Sequence, residues 1–217
     1  MQSELEKMYS NVSYSQEGED LILARIFERK QVGFYIDIGA YHPIRFSNSH
    51  LFYTKGWSGI NIDAMPGSMK IFNELRPRDI NIEAAISNKI EELEYFSFNE
   101  GALNTFSREL AISRATIENY FILSELKIQT QRLSDILDEH LPVNQPIDFL
   151  SVDTEGFDLN ILKSNNWEKY SPQIVIAEDL QKEQNQFMSS ELFLYMQSLN
   201  YTFFAKTFNS FFFKRNN

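Results

Sequence analysis

The sequence predicts an α/β fold with a mostly parallel sheet that closes with an antiparallel hairpin at the C terminus. Short apolar runs alternate with amphipathic helical patterns along most of the 217 residues, which is typical of parallel strands joined by helices. The end of the chain differs, because β-rich runs at residues 201–205 and 211–214 flank a turn at 208–210. No repeat or low-complexity linker interrupts the pattern, so we expect one domain over residues 1–217.

In the first half of the chain, the predicted helices and strands alternate in order. A helix over residues 18–29 precedes a buried apolar strand at 33–38. Ser47 or Asn48 is placed to cap a short helix that ends near Gly56. The pattern continues with a strand at residues 59–63, a helix at 67–75 ahead of an Arg-Pro pair, and a strand at 80–86.

The second half begins with two runs that alternate apolar and polar residues, as half-buried strands do. These runs, residues 93–98 and 126–131, surround the least regular stretch of the chain at 99–125. Residues 133–141 repeat apolar side chains at helical spacing. The remaining elements are a buried strand at 147–152, a helix at 157–165, a strand at 173–177 and a helix that Ser189 or Ser190 caps.

Composition limits the class of protein and its partners. The formal net charge is −10, and a surface of that sign repels phosphate backbones, so we expect no nucleic-acid partner. The absence of cysteine excludes disulfides, thiolate metal sites and a cysteine nucleophile. Residues 1–7 lack the apolar region of a secretory signal, and no apolar run approaches the ~18 residues of a membrane span. A cytoplasmic protein is expected.

The loop after the first strand distinguishes between classes of cofactor. In an open α/β sheet, ligands bind beyond the carboxyl ends of the strands. The loop begins with Asp37, Gly39 and Ala40 and has one glycine, whereas binding a pyrophosphate requires a loop with several. A carboxylate there favours a cofactor that has no phosphate and carries positive charge. S-adenosylmethionine, with its ammonium and sulfonium groups, is such a molecule. A tight turn after a core strand is the simpler alternative for Gly39.

The second strand ends in a carboxylate that suits a ribose. Asp63 and Ala64 follow the glycine loop at close to the roughly 20-residue step that separates such a loop from a ribose-binding acidic residue. A carboxylate accepts strong charge-assisted hydrogen bonds from both ribose hydroxyls. The third strand ends in the residues Ala84, Ala85, Ile86 and Ser87. The predicted fold is therefore Rossmann-like.

Acidic clusters follow the fourth and fifth strands of the predicted parallel sheet. Asp153, Glu155 and Asp158 come after one strand, and Glu178 and Asp179 come after the next. Carboxylates that converge from adjacent strand ends suit Mg²⁺ or Mn²⁺, for which the ligand set is predicted as Asp153, Glu178 and Asp179. Without a metal, Glu178 or Asp153 is a candidate general base. Helix capping is the alternative for these acidic residues.

Basic residues offer further candidates. His42, in the loop after the first strand, is a third candidate base, although a structural loop histidine is a close alternative. Arg45, Arg76 and Arg78 are candidates for the phosphate of a nucleotide-linked sugar, although solvated ion pairs are the more common role of such residues.

Six segments together resemble the FkbM-like S-adenosylmethionine-dependent methyltransferases over nearly the whole chain. These segments are YSQEGED at residues 14–20, YIDIGAYHP at 35–43, GWSGINIDA at 56–64, RPRDIN at 76–81, ALNTF at 102–106 and DFLSVDTEG at 148–156. The resemblance implies a seven-stranded class I methyltransferase sheet with a reversed last strand. It also implies O-methylation of polyketides or of sugars of surface polysaccharides.

The resemblance further implies roles for individual residues. Asp37 and Gly39 are expected near the methionine moiety and Asp63 on the ribose. Ala85 and Ile86 would flank the adenine, and Gln16 would fold back over the cofactor, although capping of its helix is an alternative.

The expected function is transfer of a methyl group to a hydroxyl of a small-molecule acceptor. The acceptor is predicted to be a sugar or nucleotide-linked sugar of surface-glycan or secondary-metabolite biosynthesis. Residues 99–125 are expected to form a lid or acceptor-binding insertion, in which Asn104, Thr105 and Arg108 are candidate contacts. Two alternatives stay open, namely a polyketide, lipid or amine acceptor and a cofactor-binding subunit without turnover.

Overall fold

The strands and helices largely follow the predicted pattern within residues 4–180 and 184–216, which the computed structural model describes. The strands are β1 (Phe34–Ile38), β2 (Ser58–Asp63), β3 (Ile80–Glu83), β4 (Ala85–Ile86), β5 (Glu92–Phe98), β6 (Ile122–Gln131), β7 (Phe149–Val152), β8 (Ile174–Glu178), β9 (Tyr201–Lys206) and β10 (Ser210–Arg215). The helices are α1 (Glu4–Tyr9), α2 (Glu19–Ile26), α3 (His50–Thr54), α4 (Met69–Leu75), α5 (Arg108–Arg114), α6 (Leu133–His140), α7 (Asp158–Lys163) and α8 (Glu191–Ser198), with 3₁₀ turns at Gly101–Leu103 and Gln184–Ser189.

The main sheet confirms the predicted fold class. In the described part of the chain it has seven strands in the order β3-β2-β1-β7-β8-β10-β9. In this sheet, the neighbouring strands β3, β2, β1, β7 and β8 pair in parallel. β10 runs antiparallel to both β8 and β9. The order reverses between β2-β1 and β7, and at such a switch point the loops after the strands diverge to leave a crevice.

The run at 80–86, predicted as one strand, divides between two sheets. β3 pairs with β2, whereas Ala85 and Ile86 of β4 pair with Thr130 and Gln131 of β6. β4 and β6 form a second sheet together with β5, in the order β4-β6-β5. The stretch at 99–125 is also more regular than predicted, because it contains a 3₁₀ turn, α5 and the start of β6.

The core lies on both faces of the main sheet, because strands covered on both sides alternate between two apolar layers. Along β1, Ile36 and Ile38 belong to the layer beneath α6, α7 and α8, and Tyr35 belongs to the opposite layer with Trp57 and Phe149. Ser190 caps α8 as predicted, because its Oγ accepts from the Phe193 N–H at 3.2 Å. The N-cap of α3 is Ser49 rather than Ser47 or Asn48, although Ser47 Oγ accepts from the His50 N–H at 3.1 Å.

The segment before α2 is attached to the turn of the C-terminal hairpin. Glu17 accepts a hydrogen bond from the Asn209 N–H at 2.9 Å, and Glu19 accepts one from the Ser210 hydroxyl at 3.1 Å. Asp20 is fully buried and accepts from the hydroxyl groups of nearby serines. These acidic residues therefore have structural partners. Across the described residues, none of the helices has the length and apolar character that crossing a membrane requires.

Candidate active site

A cleft with about 730 Å³ of empty space opens at the carboxyl ends of the strands, at the switch point of the main sheet. This volume includes the open solvent at the mouth of the cleft. Strand-end residues, the loop after β1 and the first part of the 99–125 insertion line it. The lining residues are Gln16, Ile38, Gly39, Tyr41, Phe46, Ile62, Asp63, Ala64, Ala84, Ile86, Tyr95, Gly101, Ala102, Asn104, Thr105, Phe106, Asp153, Thr154, Glu155 and Ile161.

The glycine loop takes a different form from the predicted one. Gly39 lines the cleft with φ +76°, a conformation that favours glycine. Asp37 does not line the cleft; it is buried behind the loop, where it accepts a hydrogen bond from the Ser49 hydroxyl. The prediction of Asp37 beside the cofactor therefore lacks structural support, because alternate strand residues face opposite sides of the sheet. Ala40 is also buried, against Met69 and Phe72.

Asp63 lies at the end of β2 and lines the cleft, as a ribose-binding carboxylate would. Its Oδ2 accepts from the Tyr41 N–H at 3.0 Å and its Oδ1 from the Met65 N–H at 2.8 Å. Burial raises the pKa of this carboxyl, and these backbone donors oppose the rise. These two backbone donors hold the carboxylate in place. Each of its oxygens has a second lone pair, so it can still accept a hydrogen bond from a ligand.

The wall beyond Asp63 is apolar. Ile62, Ala84 and Ile86 line it from one side, and Tyr95 and Phe106 contribute aromatic rings. Ala85, predicted to flank an adenine, is buried away from the cleft because it lies between two residues that face it. Of the two predicted residues, Ile86 therefore lines the cleft and Ala85 does not, and Ala84, which was not predicted for this role, lines it as well.

At the other end of the cleft, the lining residues Asp153 and Glu155 meet Glu178, which does not itself line the cleft. One ligand oxygen from each of Asp153, Glu155 and Glu178 lies within 4.8 Å of the others. Asp158 lies beneath them and connects the two strand ends, because its Oδ1 accepts from the Glu178 N–H and its Oδ2 from the Thr154 hydroxyl, both at 2.9 Å. Glu178 Oε2 is buried and has no hydrogen-bond partner among the described residues.

The acidic trio, meaning Asp153, Glu155 and Glu178, has a strong excess of negative charge. Burial and the neighbouring carboxylates raise the pKa of Asp153 and of Glu178 well above the usual range. Burial also raises the pKa of Glu155, while an ion pair with Arg114 opposes the rise. Like charges this close favour binding either protons or a cation.

Two of the predicted site residues lie outside this arrangement. Asp179 is not part of the trio, because it follows Glu178 directly and successive residues of an extended chain point to opposite sides. His42 does not line the cleft, and its Nδ1 accepts from the N–H groups of Ile44 and Arg45 at 3.1 and 3.0 Å. A neutral histidine with Nδ1 as acceptor carries its proton on Nε2, so the structure does not support His42 as a general base.

The predicted phosphate-binding arginines have other partners. Arg76 is fully buried, and its Nε donates to Asp79 at 2.8 Å. Arg78 donates to the Tyr53 carbonyl, and Arg45 forms an ion pair with Glu100 at 2.9 Å. Each guanidinium therefore already donates to an oxygen of the protein.

The insertion contributes directly to the cleft. Asn104 and Thr105 line it as predicted, whereas Arg108 lies outside it in an exposed ion pair with Glu94. Tyr41 and Arg114 were missed by the sequence analysis. No local sequence signal identifies either residue, since both reach the site through tertiary contacts.

The sheet order and the strand-end cleft define the class I methyltransferase arrangement. The chain matches the family model described as the methyltransferase FkbM domain over residues 37–203. It therefore belongs to the FkbM methyltransferase family, and it is an enzyme of that class. Comparison with curated proteins found no match. Among solved structures, the chain is similar to a candidate RNA methyltransferase from Pyrococcus horikoshii, with a TM-score of 0.47, 10% identity, and coverage of 96% of this chain and 93% of that one.

Proposed function

We propose that the protein transfers the methyl group of S-adenosylmethionine to a hydroxyl group of a sugar. The observation that carries the proposal is the continuity of the cleft, which runs from Asp63 at the end of β2 to Asp153 and Glu155 after β7. One end therefore offers a carboxylate suited to a ribose, and the other offers groups that can activate a hydroxyl. Family membership supports the methyl-transfer reaction.

The lining of the cleft fits the proposed cofactor part by part. Asp63 would accept hydrogen bonds from the ribose hydroxyls, and Ile86 and Tyr95 offer an apolar and aromatic surface to an adenine. Gly39 allows the loop after β1 to pass close to Asp153, so the carboxylates of the trio lie near the cationic end of the cofactor. A cationic sulfonium and ammonium suit this environment better than a pyrophosphate does.

The chemistry requires alignment and removal of one proton. Transfer forms a carbon–oxygen bond, breaks the carbon–sulfur bond of the sulfonium, and releases the hydroxyl proton of the acceptor to a base. We assign the proton-accepting role to Glu178, with Asp153 as the alternative, because Glu178 Oε2 is buried without a hydrogen-bond partner in the described structure. Burial and the neighbouring carboxylates raise the pKa of Glu178 to about 11, so Glu178 can act as a base only once its proton is lost, and a cation bound at the trio would favour that loss.

The acidic trio also fits a divalent cation. Its three oxygens lie within 4.8 Å of one another, and carboxylate oxygen is the ligand type that Mg²⁺ and Mn²⁺ prefer. Asp153, Glu155 and Glu178 would hold the ion. A bound cation of this kind lowers the pKa of a coordinated hydroxyl.

The protein partners of the arginines indicate whether the sugar acceptor carries a phosphate group. Because Arg45 and Arg76 are paired with Glu100 and Asp79, a diphosphate would have to displace protein partners in order to bind. We therefore favour a sugar without a phosphate group over a nucleotide-linked one. Surface-glycan or secondary-metabolite biosynthesis is the setting we propose.

Calorimetry with S-adenosylhomocysteine tests the cofactor assignment. We expect the wild-type protein to bind, and Asp63→Ala to lose the two ribose hydrogen bonds, about 3–6 kcal/mol at 1.5–3 kcal/mol for each bond to a charged group. Asp135→Ala, at an exposed position outside the cleft, is the matched control and should bind normally. No binding by the wild type, or full binding by Asp63→Ala, would contradict the assignment.

Transfer of an isotope-labelled methyl group tests the acceptor. The panel pairs each sugar as a methyl glycoside with its nucleotide-linked form, and adds polyketide, lipid and amine acceptors. Label in the glycosides supports the proposal. Label only in nucleotide-linked sugars would overturn the preferred form, and label only in a non-sugar acceptor would overturn the sugar assignment.

A further inference from the structure

Glu155 has a backbone conformation that is uncommon for a residue with a side chain. Its φ is +54°, in the left-handed region that favours glycine, and Gly156 follows with φ +90°. Such a conformation persists where surrounding contacts hold it, and residues of this kind concentrate at functional sites. The turn sends the carboxylate of Glu155 toward Asp153 and Glu178.

The insertion supplies contacts that hold this turn. The Thr105 hydroxyl donates to the Glu155 carbonyl at 2.9 Å. α5 packs against the next residue so closely that a β-carbon at Gly156 would lie 2.8 Å from Leu110 Cδ1. The backbone of the turn is therefore fixed from outside the β7 to α7 connection in which it occurs.

The carboxylate of Glu155 is held from the same side. Arg114, the last residue of α5, pairs with Glu155 Oε2 through Nη2, and its Nη1 donates to the Leu103 carbonyl at 3.0 Å. The two side chains are only 14% and 19% exposed. Because Arg114 occupies Oε2, the other oxygen of Glu155 is directed by a fixed guanidinium rather than by solvent.

The charges around the acidic trio are compatible with Arg114 and a divalent cation at the same site. When all three carboxylates of the trio are ionised, Arg114 offsets one of their three negative charges and a divalent cation would offset the other two. Retaining Arg114 beside a bound cation is therefore favourable in a buried site, where an uncompensated charge is costly.

We propose that Thr105 and Arg114 are positioning residues that the insertion supplies to the acidic trio, holding Glu155 in place as a ligand for a divalent cation. The inference rests on the metal assignment of the proposed function. Since Gly101, Thr105 and Phe106 also line the cofactor cleft, the cation site is complete only when the insertion is seated over that cleft.

Mn²⁺ titration followed by electron paramagnetic resonance, with S-adenosylhomocysteine bound, tests the inference. Arg114→Gln should weaken Mn²⁺ binding about 10- to 100-fold, the usual effect of removing a partner that orients a ligand. Loss of the positive charge alone would tighten cation binding, so weakening reports the loss of position. Arg114→Lys should restore part of the affinity, and Thr105→Val is a second variant that leaves the charge of the site unchanged.

Arg108→Gln is the matched control, because Arg108 belongs to the same helix and pairs with Glu94 away from the trio. It should leave the Mn²⁺ affinity unchanged, and the S-adenosylhomocysteine affinity should stay constant in the Arg108 and Arg114 variants, because neither residue lines the cleft. If Mn²⁺ binding is unchanged or tighter in both Arg114→Gln and Thr105→Val, the inference is overturned and the metal assignment still stands. A wild-type protein that binds S-adenosylhomocysteine but no Mn²⁺ overturns the inference together with the metal assignment, and leaves the cofactor assignment standing.

Discussion

Gly39 and Asp153 approach so closely that a β-carbon at position 39 would lie 1.8 Å from the carbonyl oxygen of Asp153. The loop after β1 and the loop after β7 therefore pass each other with no room for a side chain. This close approach places the acidic trio next to the cofactor end of the cleft, and it requires a glycine at position 39.

Gly39→Ala should destabilise the protein and impair catalysis. The left-handed φ costs about 1–2 kcal/mol for a residue with a β-carbon, and the clash with the Asp153 backbone adds about 1–3 kcal/mol. Displacement of Asp153 by about 1 Å would lower kcat/KM on the order of 100-fold. Urea unfolding and steady-state kinetics are the measurements.

Gly56→Ala provides the control for this prediction. Gly56 has a similar φ of +92°, but its nearest neighbour, Val32 Cγ1, lies 4.0 Å from a built β-carbon. It should show the conformational cost without the clash and without the loss of kcat/KM. Equal effects of the two substitutions would show that contact with Asp153 is unimportant.

Arg76→Met should be strongly destabilising. The Arg76 and Asp79 side chains are fully buried, and Asp79 also accepts hydrogen bonds from the Tyr35 hydroxyl, the Gly59 N–H and the Asn61 amide. Removing the guanidinium leaves a buried carboxylate without its counter-ion, which costs about 3–5 kcal/mol. The measurement is the free energy of unfolding.

An exposed ion pair on α2 is the comparison. Arg25 pairs with Glu28, and their side chains are 81% and 45% exposed. Arg25→Met should therefore cost less than about 1 kcal/mol. A loss below about 1 kcal/mol in Arg76→Met as well would contradict the structural role of Arg76 and restore it as a candidate for ligand binding.

The sequence predicted the main sheet because its strands are short apolar runs with clear ends. Once the strands are parallel, their carboxyl ends share one edge, so Asp63, Asp153 and Glu178 were expected at the same place. The C-terminal hairpin was predictable for the same local reason, since two β-rich runs flank a short turn.

The details in which the structure differs from the prediction depend on which way a residue faces. Ala85 was predicted in place of Ala84 because the run at 80–86 reads as one strand, whereas the structure divides it between two sheets. Glu155 replaces Asp179 in the acidic trio because of a left-handed turn at a residue that is not glycine. The contacts that stabilise this turn come from Thr105 and Arg114, which are distant in sequence.

Glu100→Gln should accelerate the release of S-adenosylhomocysteine. Glu100, at the start of the insertion, accepts from Arg45 at 2.9 and 3.1 Å and from the Tyr41 hydroxyl at 2.9 Å, so it joins the insertion to the loop after β1 across the cleft. Stopped-flow measurement of dissociation should show an increase of several-fold, on the scale of a partly exposed ion pair worth up to ~1 kcal/mol. This result would support a lid role for residues 99–125.

The same contact has a predictable pH dependence. Hydrogen bonding from Arg45 holds the pKa of Glu100 below its usual value. The contact is therefore complete at neutral pH and is lost only as the pH falls through that lowered pKa. Glu94→Gln, which removes a different exposed ion pair of the second sheet, is the control, and an equal acceleration in it would argue against the lid.

Substitutions in the acidic trio should separate catalysis from cofactor binding. Asp153→Asn and Glu178→Gln each remove a cation ligand or base, and kcat should fall about 10²- to 10⁴-fold, as it does on loss of a general base. S-adenosylhomocysteine affinity should change little in Glu178→Gln, because Glu178 does not line the cleft and Asp63 and the apolar wall remain intact. Chelation should abolish activity, and Mg²⁺ or Mn²⁺ should restore it.

Asp179→Asn is the matched control for these substitutions, since Asp179 is adjacent to Glu178 in sequence but lies outside the trio. It should retain kcat within a few-fold, an effect of no more than about 1 kcal/mol. If Asp179→Asn is as defective as Glu178→Gln, the cation ligands are Asp153, Glu178 and Asp179, and Glu155 is not required. If activity persists in chelator while Glu178→Gln is inactive, Glu178 acts as a general base without a metal.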